Sequence, residues 1–128
     1  MKLLLDTHIF LWHVTGDRKL SQFFKEKIQD PENEVFVSSV SLWEAIVKHS
    51  LGKLPLPAKP GILLVELREK HRFSSLPLDE NSVRHLPELP SFHRDPFDRM
   101  LICQAKEHDL TIVTADEEIL KYPVNVLK

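Results

Sequence analysis

Residues 2–8 read KLLLDTH, a short apolar run that ends in a carboxylate and a hydroxyl. Three consecutive leucines without polar alternation are typical of a strand buried on both faces, as strands of parallel sheets are. Open α/β folds keep their functional residues at the carboxyl ends of such strands. The stretch therefore predicts a buried parallel strand that delivers Asp6 to the functional edge of a sheet.

Length and composition limit the class of protein. A chain of 128 residues, 42% hydrophobic and 28% charged, is predicted to form a single globular domain over residues 1–128. We expect no targeting segment, because Asp6 interrupts the apolar start, and no membrane span, because no apolar run approaches about 18 residues. One cysteine, Cys103, excludes an internal disulfide, so a cytoplasmic protein is expected.

Strand and helix patterns alternate along the chain. Runs rich in apolar and β-branched residues predict strands at 2–5, 34–39, 73–78, 110–114 and 124–127. Apolar residues at helical spacing, with capping residues before them, predict helices at 7–12, 20–29, 41–51, 62–70, 79–86, 96–108 and 116–121. This alternation predicts a parallel sheet covered by helices on both faces.

Several local signals refine these boundaries. Thr7 and Ser41 are predicted to cap the helices that follow the first two strands. Asp95 is a predicted cap with Pro96 at the first helical position, which makes 96–108 the longest helix. Pro77 assigns the third strand to an edge of the sheet, since proline lacks the N–H that an inner strand would donate.

Two acids follow strands directly. Asp6 comes after the first strand, and Asp116 follows the fourth in the stretch Thr114-Ala115-Asp116. Parallel strands end at the same edge, so neighbouring strands would bring these two carboxylates close together. Asp116 is equally placed to cap the next helix, and the two roles are compatible.

Two further acids lie in helices that start at that edge. Glu44 interrupts an otherwise apolar helical run, where it would either face the site or pair with Lys48 at the solvent surface for about 0.3–0.5 kcal/mol. Asp98 lies in the first turn of its helix, where a carboxylate also complements the helix dipole. Each acid therefore has a structural alternative, and the functional interpretation depends on all four converging.

Electrostatics decides what convergence would require. Four ionised carboxylates about 6 Å apart, at an effective dielectric of about 20, would repel by roughly 3 kcal/mol per pair and about 15 kcal/mol in total. That energy rivals the whole stability of a domain, about 5–15 kcal/mol. Either the four acids do not converge, or a cation neutralises them.

The donor atoms indicate which cation this would be. The seven histidines are scattered and no Cys-x-x-Cys spacing occurs, so zinc is not expected. Oxygen-only ligands select Mg²⁺ or Mn²⁺, which can generate a nucleophilic water and stabilise charge on a phosphate. We assign Asp6 and Asp98 as ligands, Asp116 as completing the site, and Glu44 as the group that orients or deprotonates water.

Other polar residues at the same edge are candidates for binding a substrate. Thr7 and Thr114 carry hydroxyls at strand ends, where they could hold water or simply form turns. Arg94 and Arg99 flank Asp98 and could contact phosphate or pair with acids such as Asp95. The net charge of −2 predicts no broadly basic surface, so any contact with nucleic acid would be local or mediated by metal.

Four stretches in this order resemble the PIN-domain ribonucleases of the VapC-type toxin family. They are Leu5-Asp6-Thr7, Ser41-Leu42-Trp43-Glu44, the run DPFDRMLI at residues 95–102, and Thr114-Ala115-Asp116. The resemblance covers essentially the whole chain. It implies a three-layer α/β/α domain with a five-stranded parallel sheet, and Mg²⁺- or Mn²⁺-dependent endoribonuclease activity at the four acids. It also implies a cognate antitoxin and a homodimer.

Two other interpretations remain open. A phosphatase that forms an aspartyl-phosphate also places an aspartate after its first strand, but it typically has a second acid two positions later, where this chain has His8. A non-catalytic binding module would use the acids as caps and ion pairs, or would bind metal without turnover. Dependence of RNA cleavage on Mg²⁺ or Mn²⁺ distinguishes a nuclease from a binding module.

Overall fold

The fold is built on a parallel sheet of four strands, described by a computed structural model of residues 1–128. The strands are β1 (Lys2–Leu5), β2 (Glu34–Ser38), β3 (Ser74–Leu76) and β4 (Thr111–Val113), in the order β3-β2-β1-β4. All pairs are parallel, with Leu3 opposite Val35 on one side and Thr111 on the other. β1 is therefore a central strand, and β3 lies at an edge as Pro77 predicted.

The predicted fifth strand at 124–127 is wrong, because only one residue of that segment pairs with the sheet. Val126 forms a single parallel bridge with Ile112. Backbone groups alternate in direction along a strand, and in β4 the carbonyl of Val113 is used by Asp6 on the β1 side. Only Ile112, in the middle of three residues, directs both its N–H and its carbonyl to the last segment. A strand as short as β4 thus supports one bridge rather than a further strand.

Seven helices connect and cover the strands. They are α1 (Thr7–Thr15), α2 (Gln22–Gln29), α3 (Ser39–Ser50), α4 (Pro60–Lys70), α5 (Glu80–Val83), α6 (Pro96–His108) and α7 (Glu117–Leu120), with a 3₁₀ turn at Leu86–Glu88. The predicted start, cap and end of α6 are confirmed. No helix has the length and apolar content needed to cross a membrane.

Two hydrophobic clusters lie on opposite faces of the sheet. Leu3 and Leu5 belong to one cluster, which includes α1 residues such as Phe10, whereas Leu4 belongs to the other, which includes α6 residues such as Ile102. Successive strand side chains point to opposite faces, so the three leucines require apolar partners on both sides. This arrangement is the predicted three-layer α/β/α architecture.

Two predicted caps are wrong by a few residues. The carboxylate of Asp6, rather than Thr7, caps α1 by accepting from the N–H of Ile9 at 2.8 Å. Ser38, rather than Ser41, caps α3. In both cases the helix starts immediately after the strand, so the last strand or first loop residue takes the capping position. Consequently Thr7 and Ser41 are helical, and their buried hydroxyls join α1 to α3 through a 3.0 Å hydrogen bond.

Candidate active site at the carboxyl edge of the sheet

The pairing of β1 with β4 brings two predicted site residues into contact. The N–H of Asp6 donates to the carbonyl of Val113 at 3.1 Å, which continues the strand pairing past the end of β1. The hydroxyl of the next residue, Thr114, donates to the carboxylate of Asp6. The same hydroxyl accepts from the backbone N–H of Asp116 at 3.0 Å. Thr114 thus links the two acids that the sequence placed after neighbouring strands.

Asp6 is a buried carboxylate with few partners. It is 4% exposed, and burial raises its pKa above the ordinary value of 3.8. Hydrogen bonds from Thr114 and Ile9 lower the pKa, as does the charge of His8, whereas the charge of Asp116 raises it. The structure therefore holds Asp6 where its negative charge is costly, in the electrostatic field of a second acid.

Glu44 is buried, which corrects the alternative of a solvent-facing acid. Its side chain is 2% exposed, although the predicted pair with Lys48 does form, at 2.5 Å between Nζ and Oε2. The other oxygen, Oε1, is buried and has no hydrogen-bond partner. An unpartnered buried carboxylate oxygen costs stability and calls for an explanation such as a functional ligand.

Asp98 is a largely buried acid whose pKa is strongly raised. The cap residue Asp95 accepts from its backbone N–H at 3.0 Å, which fixes Asp98 in the first turn of α6. Burial, followed by the charge of Asp95, raises the pKa of Asp98 from 3.8 to about 7, against a hydrogen bond from His93 that lowers it. The charges of Glu44 and Asp116 raise the pKa further. Asp98 therefore lies within the combined field of the other acids.

Asp116 keeps both roles that its sequence position allowed. It is exposed, and its Oδ1 caps α7 by accepting from the N–H of Glu118 at 2.9 Å. Its charge nevertheless acts on both Asp6 and Asp98. The cap fixes the carboxylate at the same edge as the buried acids.

A histidine that the sequence did not single out supports Asp98. The Nε2 of His93 lies 3.2 Å from Oδ2 of Asp98, and its Nδ1 lies 2.8 Å from the hydroxyl of Tyr122. Arg99 Nη1 donates to that hydroxyl and to the carbonyl of Pro90, both at 2.9 Å. Tyr122 is 29 residues from His93 in the sequence, so no local pattern predicts their contact. The only sequence signal for His93 is its position just before α6.

The two arginines differ in what they contact. Arg99 forms no ion pair with Asp95 and instead holds the loop before α6 through the carbonyl of Pro90 and the hydroxyl of Tyr122. Arg94 is exposed, and no hydrogen bond or ion pair of its side chain is formed. Of the two, Arg94 is free to meet a phosphate, whereas Arg99 is occupied in holding the loop.

The donor set of this edge suits a hard divalent cation. Carboxylates dominate it, their mutual repulsion is visible in the pKa of Asp98, and Oε1 of Glu44 is buried without a partner. No three His, Cys, Asp or Glu side chains lie in a group that could hold a metal ion as the structure stands. The chemistry of the residues fits Mg²⁺ or Mn²⁺, although the ligand group is not preformed.

Comparison with known proteins assigns this arrangement of sheet and helices to a class. The family model of the PIN domain matches residues 3–125, nearly the whole chain. No curated protein sequence matches the chain.

Solved structures of complexes named VapBC2, VapBC and FitAcB share the fold. A chain of VapBC2 from Rickettsia felis, bound to a DNA fragment from its promoter, is 16% identical with a TM-score of 0.71, covering 100% of this chain and 98% of that one. A chain of DNA-bound VapBC from Salmonella typhimurium is 18% identical with a TM-score of 0.69, at 100% and 97% coverage. For FitAcB from Neisseria gonorrhoeae the values are 20% and 0.67, at 98% and 96% coverage.

These comparisons identify the family. The protein is an α/β chain with the same fold as the matching chains of these complexes, and it belongs to the PIN domain family. Members of this family are generally nucleases.

Proposed function

We propose that this chain is an endoribonuclease that hydrolyses RNA phosphodiester bonds with the help of Mg²⁺ or Mn²⁺, and that it acts as the toxin of a toxin–antitoxin pair. The observation that carries the proposal is the hydrogen-bonded link from Asp6 through Thr114 to Asp116 at the edge where α/β folds act. The pKa of Asp98 supports it, because burial and then the charge of Asp95 raise it to about 7, with further contributions from Glu44 and Asp116.

Asp6, Asp98 and Asp116 are the residues that would hold the ion. When bound, Mg²⁺ or Mn²⁺ supplies a water of lowered pKa and stabilises negative charge on the reacting phosphate. The hydrogen bonds from Thr114 and Ile9 keep the carboxylate of Asp6 oriented at the end of β1. His93 performs the corresponding task for Asp98.

Glu44 is suited to orient or deprotonate the attacking water. Lys48 engages only Oε2, so Oε1 keeps a lone pair for a proton donor. Because the surroundings are buried, a water held there would have few competing partners. A general base so placed would contribute to the rate of the chemical step more than to binding of the ion.

Substrate contacts are proposed for the remaining polar residues. Arg94 is exposed and could pair with a phosphate of the RNA. Thr114 would act mainly through the carboxylate of Asp6, to which its hydroxyl donates, and Thr7 through its hydroxyl contact with Ser41, which joins α1 to α3. Arg99 would act on the substrate only indirectly, through the loop that it holds in front of α6.

An antitoxin is the proposed protein partner. Several structures with this fold carry the names VapBC or FitAB, and three of them are bound to DNA. By analogy with those assemblies, we propose that this chain binds a cognate antitoxin, forms a homodimer and works in the cytoplasm.

A second function is a non-catalytic PIN-like module that binds RNA, metal or another protein. The observation that favours it is that the carboxylates already serve as caps and hydrogen-bond acceptors, without a complete coordination group. In that case, removal of divalent ions would not weaken the binding of RNA or of the partner protein.

Cleavage of single-stranded RNA by the purified protein distinguishes the two functions. We expect cleavage with Mg²⁺ or Mn²⁺, none with a chelator, and recovery when the ion is restored. Asp98→Asn should abolish cleavage, whereas Glu117→Gln, which removes an exposed acid in α7, should not. Cleavage that persists in chelator, or that survives in folded Asp98→Asn, would contradict the metal-dependent mechanism; no cleavage under any condition would favour the binding module.

A further inference from the structure

A small cavity opens beside the candidate active site. It measures about 220 Å³ and is lined by Asp6, His8, Ile9, Trp12, Ala115 and Asp116. Two of the proposed ion ligands, Asp6 and Asp116, therefore line it. Pockets for drug-sized ligands have volumes of about 300–1,000 Å³, so this cavity is suited to a single small ring system rather than to a longer ligand.

Two aromatic side chains of α1, His8 and Trp12, also line the cavity. His8 and Trp12 are one helical turn apart on the same face, with ring centroids 6.0 Å apart and planes inclined at 50°. The rings are inclined rather than stacked on each other, and both line the cavity, so a flat group in the cavity would meet both side chains. His8 is exposed and Trp12 is partly buried against the core. Packing in the core explains part of Trp12 but leaves His8 unexplained.

The charge of the cavity selects among the parts of a nucleotide. Asp6 and Asp116 would repel a phosphate that entered the cavity without a cation, whereas a base is uncharged. A base could therefore lie against the rings while the adjoining phosphate remained at the acids.

We propose that this cavity binds the base of one nucleotide next to the cleaved phosphodiester, stacked against Trp12 and His8. The inference rests on the proposed ribonuclease function and specifies where its substrate is held. Stacking of a base on an aromatic side chain tolerates any base, because every base has a π face. His8 and Trp12 would thus position single-stranded RNA without selecting a sequence by themselves.

The fluorescence of Trp12 offers a direct test that does not depend on cleavage. Trp43 is the only other tryptophan, so Trp43→Phe combined with Asp98→Asn gives an inactive protein whose emission comes from Trp12. Asp98 does not line the cavity. We expect a short single-stranded RNA to change this emission saturably, with the same dissociation constant that labelled RNA gives by anisotropy.

Substitutions at the cavity test the contribution of stacking. In the Asp98→Asn background, Trp12→Leu should weaken RNA binding by about 5- to 150-fold and His8→Ala should weaken it measurably, whereas Trp12→Phe should retain most of the affinity. Phe23→Leu is the matched control, because Phe23 is also an aromatic residue of a helix and is 42% exposed. It lines a different cavity, together with Met1 and Thr111, at the opposite end of the strands. Thermal unfolding checks that each variant is folded.

The outcomes separate the subsite from the proposed function. The subsite is overturned if RNA binds without altering Trp12 emission and binds equally well to folded Trp12→Leu. In that case, RNA cleavage by the wild type would still support the ribonuclease function. Emission that responds to the cognate antitoxin but not to RNA would assign the cavity to a protein and also overturn the subsite. If no RNA binds and the wild type cleaves none with Mn²⁺, both proposals fall.

Discussion

The hydroxyl of Thr114 donates to the buried carboxylate of Asp6, 108 positions away in the sequence, and accepts from the N–H of Asp116 at 3.0 Å. One side chain thereby holds two of the proposed ion ligands. The contact exists because β1 and β4 are neighbours and end at the same edge. It is the most direct structural link between the start and the end of the candidate site.

Thr114→Val keeps the shape of the side chain and removes this link. We expect the free energy of unfolding to fall by about 1–3 kcal/mol at neutral pH, since the buried carboxylate of Asp6 and the N–H of Asp116 both lose a partner. The loss should be smaller in acid, where Asp6 is protonated. Urea unfolding at two pH values measures both effects. Thr111→Val, at the start of β4 and with no side-chain hydrogen bond, is the control; equal losses in the two variants would contradict a special role for Thr114.

Asp98→Asn should stabilise the metal-free protein above neutral pH. The folded-state pKa of about 7 lies above the ordinary 3.8, so the folded state binds more protons between these values and stability falls as pH rises through them. Removing the charge should add about 1–2 kcal/mol at pH 8, less than the full shift implies because the carboxylate is partly exposed. Thermal unfolding from pH 4 to 8 measures this. Glu117→Gln should leave the pH profile unchanged, and a destabilised Asp98→Asn would argue against repulsion at the site.

Saturating Mn²⁺ should remove most of this pH dependence in the wild type. A bound cation favours the ionised form of Asp98, lowers its pKa and converts a repulsive cluster into a ligand set. The expected result is a higher unfolding temperature with Mn²⁺ at pH 7–8 and little change below pH 5. A response that is absent, or that is the same in Asp98→Asn, would mean that the ion binds elsewhere.

His93→Ala tests whether the histidine positions Asp98. Without the hydrogen bond at 3.2 Å, the carboxylate loses a group that both orients it and lowers its pKa. We expect Mn²⁺ affinity at pH 7 to fall by about 10- to 100-fold, the usual effect of removing a partner of a metal ligand, with partial recovery in His93→Gln. Isothermal titration provides the measurement. His108→Ala, which removes a surface contact with Asp79, should bind Mn²⁺ like the wild type.

Glu44→Gln separates activation of water from binding of the ion. Because Oε1 of Glu44 is free whereas Oε2 contacts Lys48, we expect the cleavage rate to fall by about 10²–10⁴-fold while Mn²⁺ affinity changes little. Single-turnover kinetics and isothermal titration provide the two values. Glu66→Gln, at an exposed position of α4, is the matched control. Complete loss of Mn²⁺ binding would instead make Glu44 a primary ligand.

Much of the fold follows from local patterns in the sequence. The leucine run before Asp6 requires apolar partners on two faces, and the Asp95-Pro96 pair sets the start of α6, because burial and capping act over a few neighbouring residues. The same patterns place Asp6 and Asp116 after parallel strands. Their common edge could therefore be predicted before any coordinates.

Tertiary structure decided the environment of each site residue. Only packing of α3 against its neighbours buries Glu44, and only the return of the chain at Tyr122 gives His93 its second partner. The single bridge at Val126 likewise depends on pairing between strands, because only Ile112 of β4 directs its backbone N–H and carbonyl toward the last segment. Burial, desolvation and shared hydrogen bonds arise between groups that meet across long sequence separations. A local pattern therefore determines which residues reach the site, but it does not determine the electrostatic field that they experience there.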